Sequence, residues 1–330
     1  MKNDDYFIDN NKRIKWIDSA KGISIILMII GHCLLVDNFF RNFIFSFHIP
    51  LFFILSGYNL REINSFREFG DSLLKDFKKL FVPSLFIIIV CNIVKFSNFG
   101  LLYILKNIFI SILWSNGVGT VLFGSFVPIS GAFWFLACLF VSKNIVRLID
   151  YCVIKKFRIF VYIFIILFGF IIGNYCWLPF SFDICLASVL FLKIGIIYRK
   201  NEKLFQKYSK ILIIVFCLIW LICLLNGFYI EFAVRYYPGG IVCVIEAVFG
   251  SFTIIYLCKF FEKINFRFFS YIGKYSREIL IIHCIEDILF NYSYIIKLIG
   301  INLFIILRVT IVLVIVTVIG NLFRIINKSN

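Results

Sequence analysis

The chain has 330 residues, of which 62% are hydrophobic and 16% are charged, and its formal net charge is +16. A soluble domain averages about half apolar and about a quarter charged residues, so this composition excludes an ordinary soluble protein. The basic residues form short clusters between apolar runs and not one patch, which argues against nucleic acid as a partner and favours a lipid bilayer.

The apolar residues are grouped in runs of about twenty, the length at which a helix crosses the hydrocarbon core of a bilayer. Only helices and closed barrels satisfy their backbone polar groups in lipid, and these runs do not alternate as barrel strands do. The predicted fold class is therefore an all-α, polytopic membrane helix bundle.

About ten transmembrane helices account for the sequence. We predict a single integral-membrane domain over residues 1–330, with residues 1–16 as a cytoplasmic N-terminal segment, no removable signal peptide and no appended soluble domain. The longest predicted connections are 61–79 and 99–128. The predicted spans are 17–37, 43–60, 80–98, 129–148, 157–175, 179–198, 209–227, 237–258, 275–293 and 301–322.

Lysine and arginine are distributed very unevenly between the two sides of this arrangement. Of the 34 basic residues, 27 fall on the side of the N-terminus and 2 fall inside spans. The 5 on the opposite side are Arg41, Lys95, Lys106, Arg235 and Lys297. Because basic residues concentrate in cytoplasmic loops, we predict a multi-pass protein of the cell (cytoplasmic) membrane with both termini in the cytoplasm.

Residues 101–114 are apolar but too few to span comfortably, so they predict an interfacial or re-entrant helix. A glycine-rich stretch, 116–131, follows on the outer side. Irregular backbone is tolerated at membrane depth where it lines a cavity, and this stretch could dip into the protein in that way.

Lys21 and His32 are eleven residues apart in the first span. Eleven residues are close to three helical turns, so both side chains share one face, about 16 Å apart along the axis. A cation at the cytoplasmic rim and a deeper imidazole could hold a long phosphorylated carrier with its reactive end at the imidazole. The alternative is a positive-inside anchor and a packing histidine.

The second span carries Arg41, Ser46 and His48 near its outer end and Ser56-Gly57 near its inner end. Small residues allow close helix approach in membrane bundles. A packing role for Ser56-Gly57 is therefore favoured over a nucleophilic role for Ser56, which would need a neighbouring base.

His283, Glu286 and Asp287 share one face of the ninth span, where a carboxylate could orient the imidazole. Other lone intramembrane charges are Glu246, Asp183 and Arg308. Ion pairing is the favoured interpretation for these charges, for example between Arg308 and Asp287. Trp134 is interpreted as packing or cavity wall.

The eleven cysteines contain no CxxC pair and no His/Cys metal spacing. Buried cysteine behaves as a small hydrophobe, so neither a disulfide framework nor a metal is expected.

The segments DSAKG, GH, FHIPLFF and SGY, between Asp18 and Tyr58, resemble the opening of the acyltransferase 3 family. This family of membrane O-acetyltransferases includes fucose 4-O-acetylase-like and polysaccharide-modifying enzymes. GAFWFLACLF (131–140) and IGKYSREILIIHCI (272–285) resemble its later landmarks. Two features depart from the family: lysine replaces the commoner arginine at the basic position, and the glutamate that some members carry in the WFL region is absent from 131–142.

The resemblance implies transfer of an acetyl group from cytoplasmic acetyl-CoA to a hydroxyl of an envelope or capsular glycan. Polysaccharide-assembly proteins are further candidate partners. Residue by residue, Lys21 matches the basic position that would contact a CoA phosphate, and His32 matches the catalytic histidine. His48 falls in an element that lines the same cavity.

On this hypothesis His32 acts as general base or holds the acetyl group, while His48 or Arg41 stabilises the oxyanion or positions the acceptor. Ser56, Trp134, His283 and Glu286 are candidate cavity or substrate residues. A transporter with intramembrane His, Asp and Glu as a proton relay is the alternative. A non-catalytic assembly subunit is a third possibility.

Overall fold

The computed structural model describes residues 13–35, 38–122, 124–131, 133–262 and 267–326, so most of the predicted N-terminal segment lies outside the described residues. The α-helices are α1 Lys15–His32, α2 Phe39–Tyr58, α3 Phe66–Asp76, α4 Val82–Lys95, α5 Leu101–Trp114, α6 Phe133–Cys152, α7 Lys155–Tyr175, α8 Phe182–Lys200, α9 Glu202–Lys207, α10 Ser209–Leu225, α11 Ile241–Phe261, α12 Arg267–Lys274, α13 Ser276–Leu289 and α14 Ser293–Ile326. Short 3-10 turns occur at Pro179–Ser181 and Phe232–Val234. The all-α fold class is confirmed.

Among the described residues, six helical segments are long and apolar enough to cross a membrane. They are Phe39–Tyr58, Phe66–Lys95, Lys155–Tyr175, Pro179–Lys200, Ile241–Phe261 and Ser293–Val318. Four predicted spans correspond to helices that do not meet this standard. Helices α10 and α13 are too short, with 17 and 14 residues, and α1 and α6 each carry three charged residues. Helices α1, α6 and α13 also carry most of the predicted site. The count of about ten spans and the orientation of the termini stay predictions.

The predicted connection 61–79 is wrong in part, because α3 lies within it and joins α4 through a π-helical turn, Phe77–Phe81. The side chain of Ser65 accepts a hydrogen bond from the Glu68 amide at 3.1 Å, and Glu68 accepts one from the Asn64 amide at 2.9 Å. The Ser65 side chain makes the N-cap bond of a capping box, while Glu68 reaches the amide one residue further back than in the standard motif. The cap starts a helix where a loop was expected.

Helix α12 was likewise predicted as part of a connection, and it packs directly on α1. The contact depends on two glycines, because a Cβ on Gly22 would collide with the backbone of Phe269 and one on Gly273 with that of Asp18. The close approach fixes α12 against the helix that carries Lys21.

The predicted connection 99–128 contains helix α5, as expected for 101–114, and two short strands. Strands β1 Thr120–Leu122 and β2 Ser125–Val127 pair antiparallel, with Thr120 opposite Val127. This hairpin is an exception to the all-α expectation. Predicted spans 275–293 and 301–322 also shift, because α13 ends at Leu289 and α14 begins at Ser293 and contains a break at Gly300 (φ +76°).

Helix α2 packs against α8 along a second pair of glycines. A Cβ on Gly57 would collide with the backbone of Leu192, and one on Gly195 with that of Ile54. The structure therefore supports the packing interpretation of Gly57. It also fixes the position of α2, which carries His48 and Arg41.

Candidate active site

A cavity of about 800 Å³ lies between α1, α2, α6 and the α12–α13 segment. Its wall includes Gly117, Val118, Ile129 and Gly131, so part of the glycine-rich stretch does line a cavity. Seven of the eight predicted site residues line it: Lys21, His32, Arg41, His48, Ser56, Trp134 and His283. The eighth, Glu286, is hydrogen-bonded to His283 behind the wall.

The three histidines meet in the middle of this cavity. His32 is the last residue of α1, and its ring centroid lies 5.1 Å from that of His283 on α13. The Phe45 ring lies between His32 and His48, with its centroid 5.3 Å from the His32 ring and 4.8 Å from the His48 ring. His48 and His283 are 4% and 1% exposed, whereas His32 is open to the cavity.

His48 is held in one tautomer by its own helix. Its Nδ1 lies 3.1 Å from the carbonyl oxygen of Ile44. A carbonyl oxygen only accepts hydrogen bonds, so we assign the proton to Nδ1 and leave Nε2 as an acceptor. In the neutral ring, Nε2 of His48 is thus the nitrogen that can accept a further hydrogen bond.

His283 belongs to a charged network that joins α13 to α14. Its Nδ1 is 3.1 Å from Glu286 Oε1, which also accepts from Arg308 Nε at 2.6 Å. Arg308 Nη2 donates to Asp287 Oδ1 at 2.8 Å. The predicted pairing of Arg308 with Asp287 is confirmed, and Glu286 is a second partner of the same guanidinium.

Lys21 lies at one end of the cavity, within a group of basic side chains that we call the cationic mouth. Nine basic residues of the described chain line the cavity here: Arg13, Lys21, Arg61, Lys75, Lys79, Lys143, Arg147, Lys274 and Arg277. Asp76 and Glu278 are the acidic residues at the same end. A cleft lined by one sign of charge concentrates ligands of the opposite sign, so the cationic mouth suits a polyanion.

Asp76 ties helix α3 to helix α6 at the cationic mouth. It accepts hydrogen bonds from Lys143 Nζ at 2.8 Å and from Arg147 Nη1 at 2.7 Å. Arg277 Nη1 donates to the main-chain oxygen of Lys79 at 3.2 Å. Together these contacts fix α3, the π-helical turn, α6 and α13 around a single opening.

The opposite end of the cavity contains a buried ion pair. Arg41 donates two hydrogen bonds to Glu231, at 3.2 and 2.9 Å, and both side chains are about nine-tenths buried. The Arg41 guanidinium also lies over the Phe45 ring, with its Cζ 4.1 Å from the ring centroid. Arg41 is thereby linked to the aromatic ring that separates two of the histidines.

Sequence reasoning missed Glu231, Asp76 and the contribution of the later basic clusters to the site. Lys75, Lys79, Lys143, Lys274 and Arg277 were interpreted only as a topology signal, which is the usual meaning of such clusters. Glu231 follows apolar residues in a short connection, and no pattern in the sequence links it to Arg41, 190 residues earlier. A usable sequence signal exists for α3, which carries Lys75 and Asp76: the Ser65-x-x-Glu68 pattern is typical of a helix N-terminus.

Together these observations define a multi-pass membrane protein with a polar, histidine-containing cavity inside its helix bundle. A family model described as an acyltransferase domain (acyltransferase 3) matches residues 14–323. The chain therefore belongs to the acyltransferase 3 family and is a membrane acyltransferase. No curated protein and no solved structure matches the chain significantly.

Proposed function

We propose that the protein is an O-acetyltransferase that moves an acetyl group from cytoplasmic acetyl-CoA to a sugar hydroxyl of an envelope or capsular polysaccharide. Family membership supplies the acyl transfer. The observation that carries the choice of donor is the cationic mouth, which leads into the same cavity as His32. Coenzyme A has its phosphates at one end and its thioester at the other, which matches this distribution of charge.

Lys21 and its basic neighbours bind the phosphates in this proposal. Helix α1 runs from the cationic mouth to the histidines, and Lys21 and His32 are about 16 Å apart along its axis. The pantetheine arm follows this helix past Ile25 and Met28, which line the cavity between them. The thioester then lies beside His32.

His32 acts on the acetyl group or on the acceptor. As a general base it removes the proton from the sugar hydroxyl, whose oxygen attacks the thioester carbonyl carbon and displaces the CoA thiolate. As a nucleophile it holds the acetyl group before the hydroxyl attacks. His48 or Arg41 stabilises the oxyanion or positions the acceptor from the opposite end of the cavity.

The partition of basic residues, 27 against 5, supports an orientation with the cationic mouth in the cytoplasm. The Arg41–Glu231 end then faces the outer side, where the glycan and any polysaccharide-assembly proteins would approach. No finding supports the alternative of a transporter with a proton relay.

The test uses membranes that contain the protein, acetyl-labelled acetyl-CoA and the surface glycan of the host. We expect label in an alkali-labile ester of the glycan, and loss of that label with His32→Ala. A stably inserted His32→Ala protein that acetylates the glycan at the wild-type rate would refute the catalytic assignment. Lys155→Ala, a basic residue that does not line the cavity, is the control.

A further inference from the structure

We propose that His283, backed by Glu286, is the general base that takes the proton from the acceptor hydroxyl, and that His32 is the histidine on the acyl side. This assignment rests on the proposed function. It separates two roles that sequence reasoning gave to His32 alone. The two rings differ in their hydrogen-bond partners.

Glu286 fixes the tautomer of His283. The carboxylate also accepts hydrogen bonds from Arg308 Nε at 2.6 Å and from the Tyr292 hydroxyl at 3.1 Å. A carboxylate that accepts from a guanidinium is ionised and can only accept. The proton between Glu286 and His283 therefore belongs to Nδ1, and Nε2 is the basic nitrogen.

The same carboxylate stabilises His283 after it has gained a proton. A base that becomes an imidazolium in a buried site needs a negative partner, because an unpaired buried charge is costly. Glu286 provides that partner at 3.1 Å, and the His283 side chain is 1% exposed. The contact within α13 is between residues three apart, which share a helix face.

His32 has a different set of neighbours. Its ring centroid lies 5.1 Å from that of His283 and 5.3 Å from that of Phe45, and Arg308 Nη1 lies 3.5 Å from Sγ of the next residue, Cys33. Within the described part of the chain, no carboxylate lies within ion-pair distance of His32. The described residues thus place a carboxylate beside His283 and none beside His32, and a neutral ring suits contact with a thioester.

Both histidines can reach the same bound group. They line one cavity, and their ring centroids are 5.1 Å apart. Asp287, which is 42% exposed, lines the cavity next to His283 and accepts from Arg308. A sugar hydroxyl at His283 would thus lie next to a thioester at His32.

The proton and the electron pair can be followed through the reaction. The hydroxyl oxygen forms a bond to the thioester carbonyl carbon while its proton moves to His283 Nε2. The carbon–sulfur bond then breaks, and the proton passes from His283 to the CoA thiolate. The products are the O-acetyl ester and free CoA, and His283 returns to its neutral state.

The experiment measures kcat, KM and acetyl-CoA affinity for the protein in lipid nanodiscs. We expect His283→Ala to lower kcat by about 10²- to 10⁴-fold, the usual contribution of a positioned base. Acetyl-CoA affinity should stay within about twofold of the wild type, because in this model His283 contacts the acceptor and not the donor. Added imidazole should restore part of the lost kcat.

Glu286→Gln keeps the side-chain volume and removes the charge. If His283→Ala does not insert into the membrane, this second variant tests the general-base assignment. We expect it to lower kcat by about ten- to a hundredfold, because a neutral amide stabilises an imidazolium less than a carboxylate does. Asp150→Asn is the matched control. Asp150 also accepts from a cation, Lys193, and from a tyrosine, Tyr162, but it does not line the cavity.

Three outcomes overturn the assignment. One is wild-type kcat in His283→Ala, and another is loss of acetyl-CoA affinity in step with kcat and without rescue by imidazole. The third is an equal loss of kcat in Glu286→Gln and Asp150→Asn, which would indicate a purely structural role. If the wild-type protein transfers no acetyl group, the proposed function itself is refuted. That outcome can be told apart from the three above, because each of them requires an active wild-type protein.

Discussion

Two neighbouring lysines provide a direct test of the cationic mouth. Lys78 and Lys79 occupy the same π-helical turn and are both exposed, but only Lys79 lines the cavity. We predict that Lys79→Ala weakens the binding of acetyl-CoA and that Lys78→Ala does not. Each variant removes one positive charge, so a difference between the two affinities cannot come from the change in net charge.

The expected magnitude follows from the position of Lys79. Its main-chain oxygen, and not its side chain, accepts the hydrogen bond from Arg277, so the substitution leaves that contact in place. An exposed ion pair contributes about 1 kcal/mol, which corresponds to about a fivefold change in Kd. For Lys78 we expect less than about a twofold change at physiological salt, because screening weakens interactions beyond about 8 Å.

The assay is calorimetric titration of acetyl-CoA into the protein in nanodiscs at two salt concentrations. The difference between Lys79→Ala and the wild type should shrink at about 1 M salt, where the screening length is about 3 Å. Equal affinities for the two variants, or a loss that does not respond to salt, would show that the Lys79 side chain does not contact the phosphates.

Other predictions concern the scaffold around the site. Gly22→Ala should destabilise the protein by about 1–3 kcal/mol through overpacking. The control Gly70→Ala, whose Cβ would meet nothing within 4 Å, should be neutral or stabilising. Equal thermal unfolding temperatures for the two variants in detergent would contradict this prediction. Asp76→Asn should destabilise by about 3–5 kcal/mol, since it leaves Arg147 buried without its charge partner, and an unchanged unfolding temperature would count against it. Glu231→Gln should raise the acceptor KM more than the acetyl-CoA KM, and the opposite order would show that this end of the cavity does not face the acceptor.

Much of the fold follows from local features of the sequence. Apolar runs of helical length, interrupted by basic clusters, indicate a membrane bundle, because lipid leaves the backbone few other ways to satisfy its polar groups. The spacing of Lys21 and His32 places both on one face of α1 without any tertiary information. Likewise, the spacing of His283 and Glu286 allows the contact that the structure contains.

Other features depend on contacts between residues far apart in the chain. Glu231 meets Arg41 across 190 residues, and Asp76 meets Arg147 across 71. Such pairs are set by how the helices pack, and packing in lipid depends on close-fitting small residues such as Gly22 and Gly273. No local pattern specifies which glycine faces which backbone.

Local features of the sequence are therefore enough to predict the membrane bundle, the shared helix face of Lys21 and His32, and the family. The tertiary structure decided that basic clusters from separate loops line one opening, and that His283 rather than His32 has a carboxylate partner within the described chain. The physical reason is that helix formation is local, whereas the environment of a charged side chain depends on every helix that packs around it.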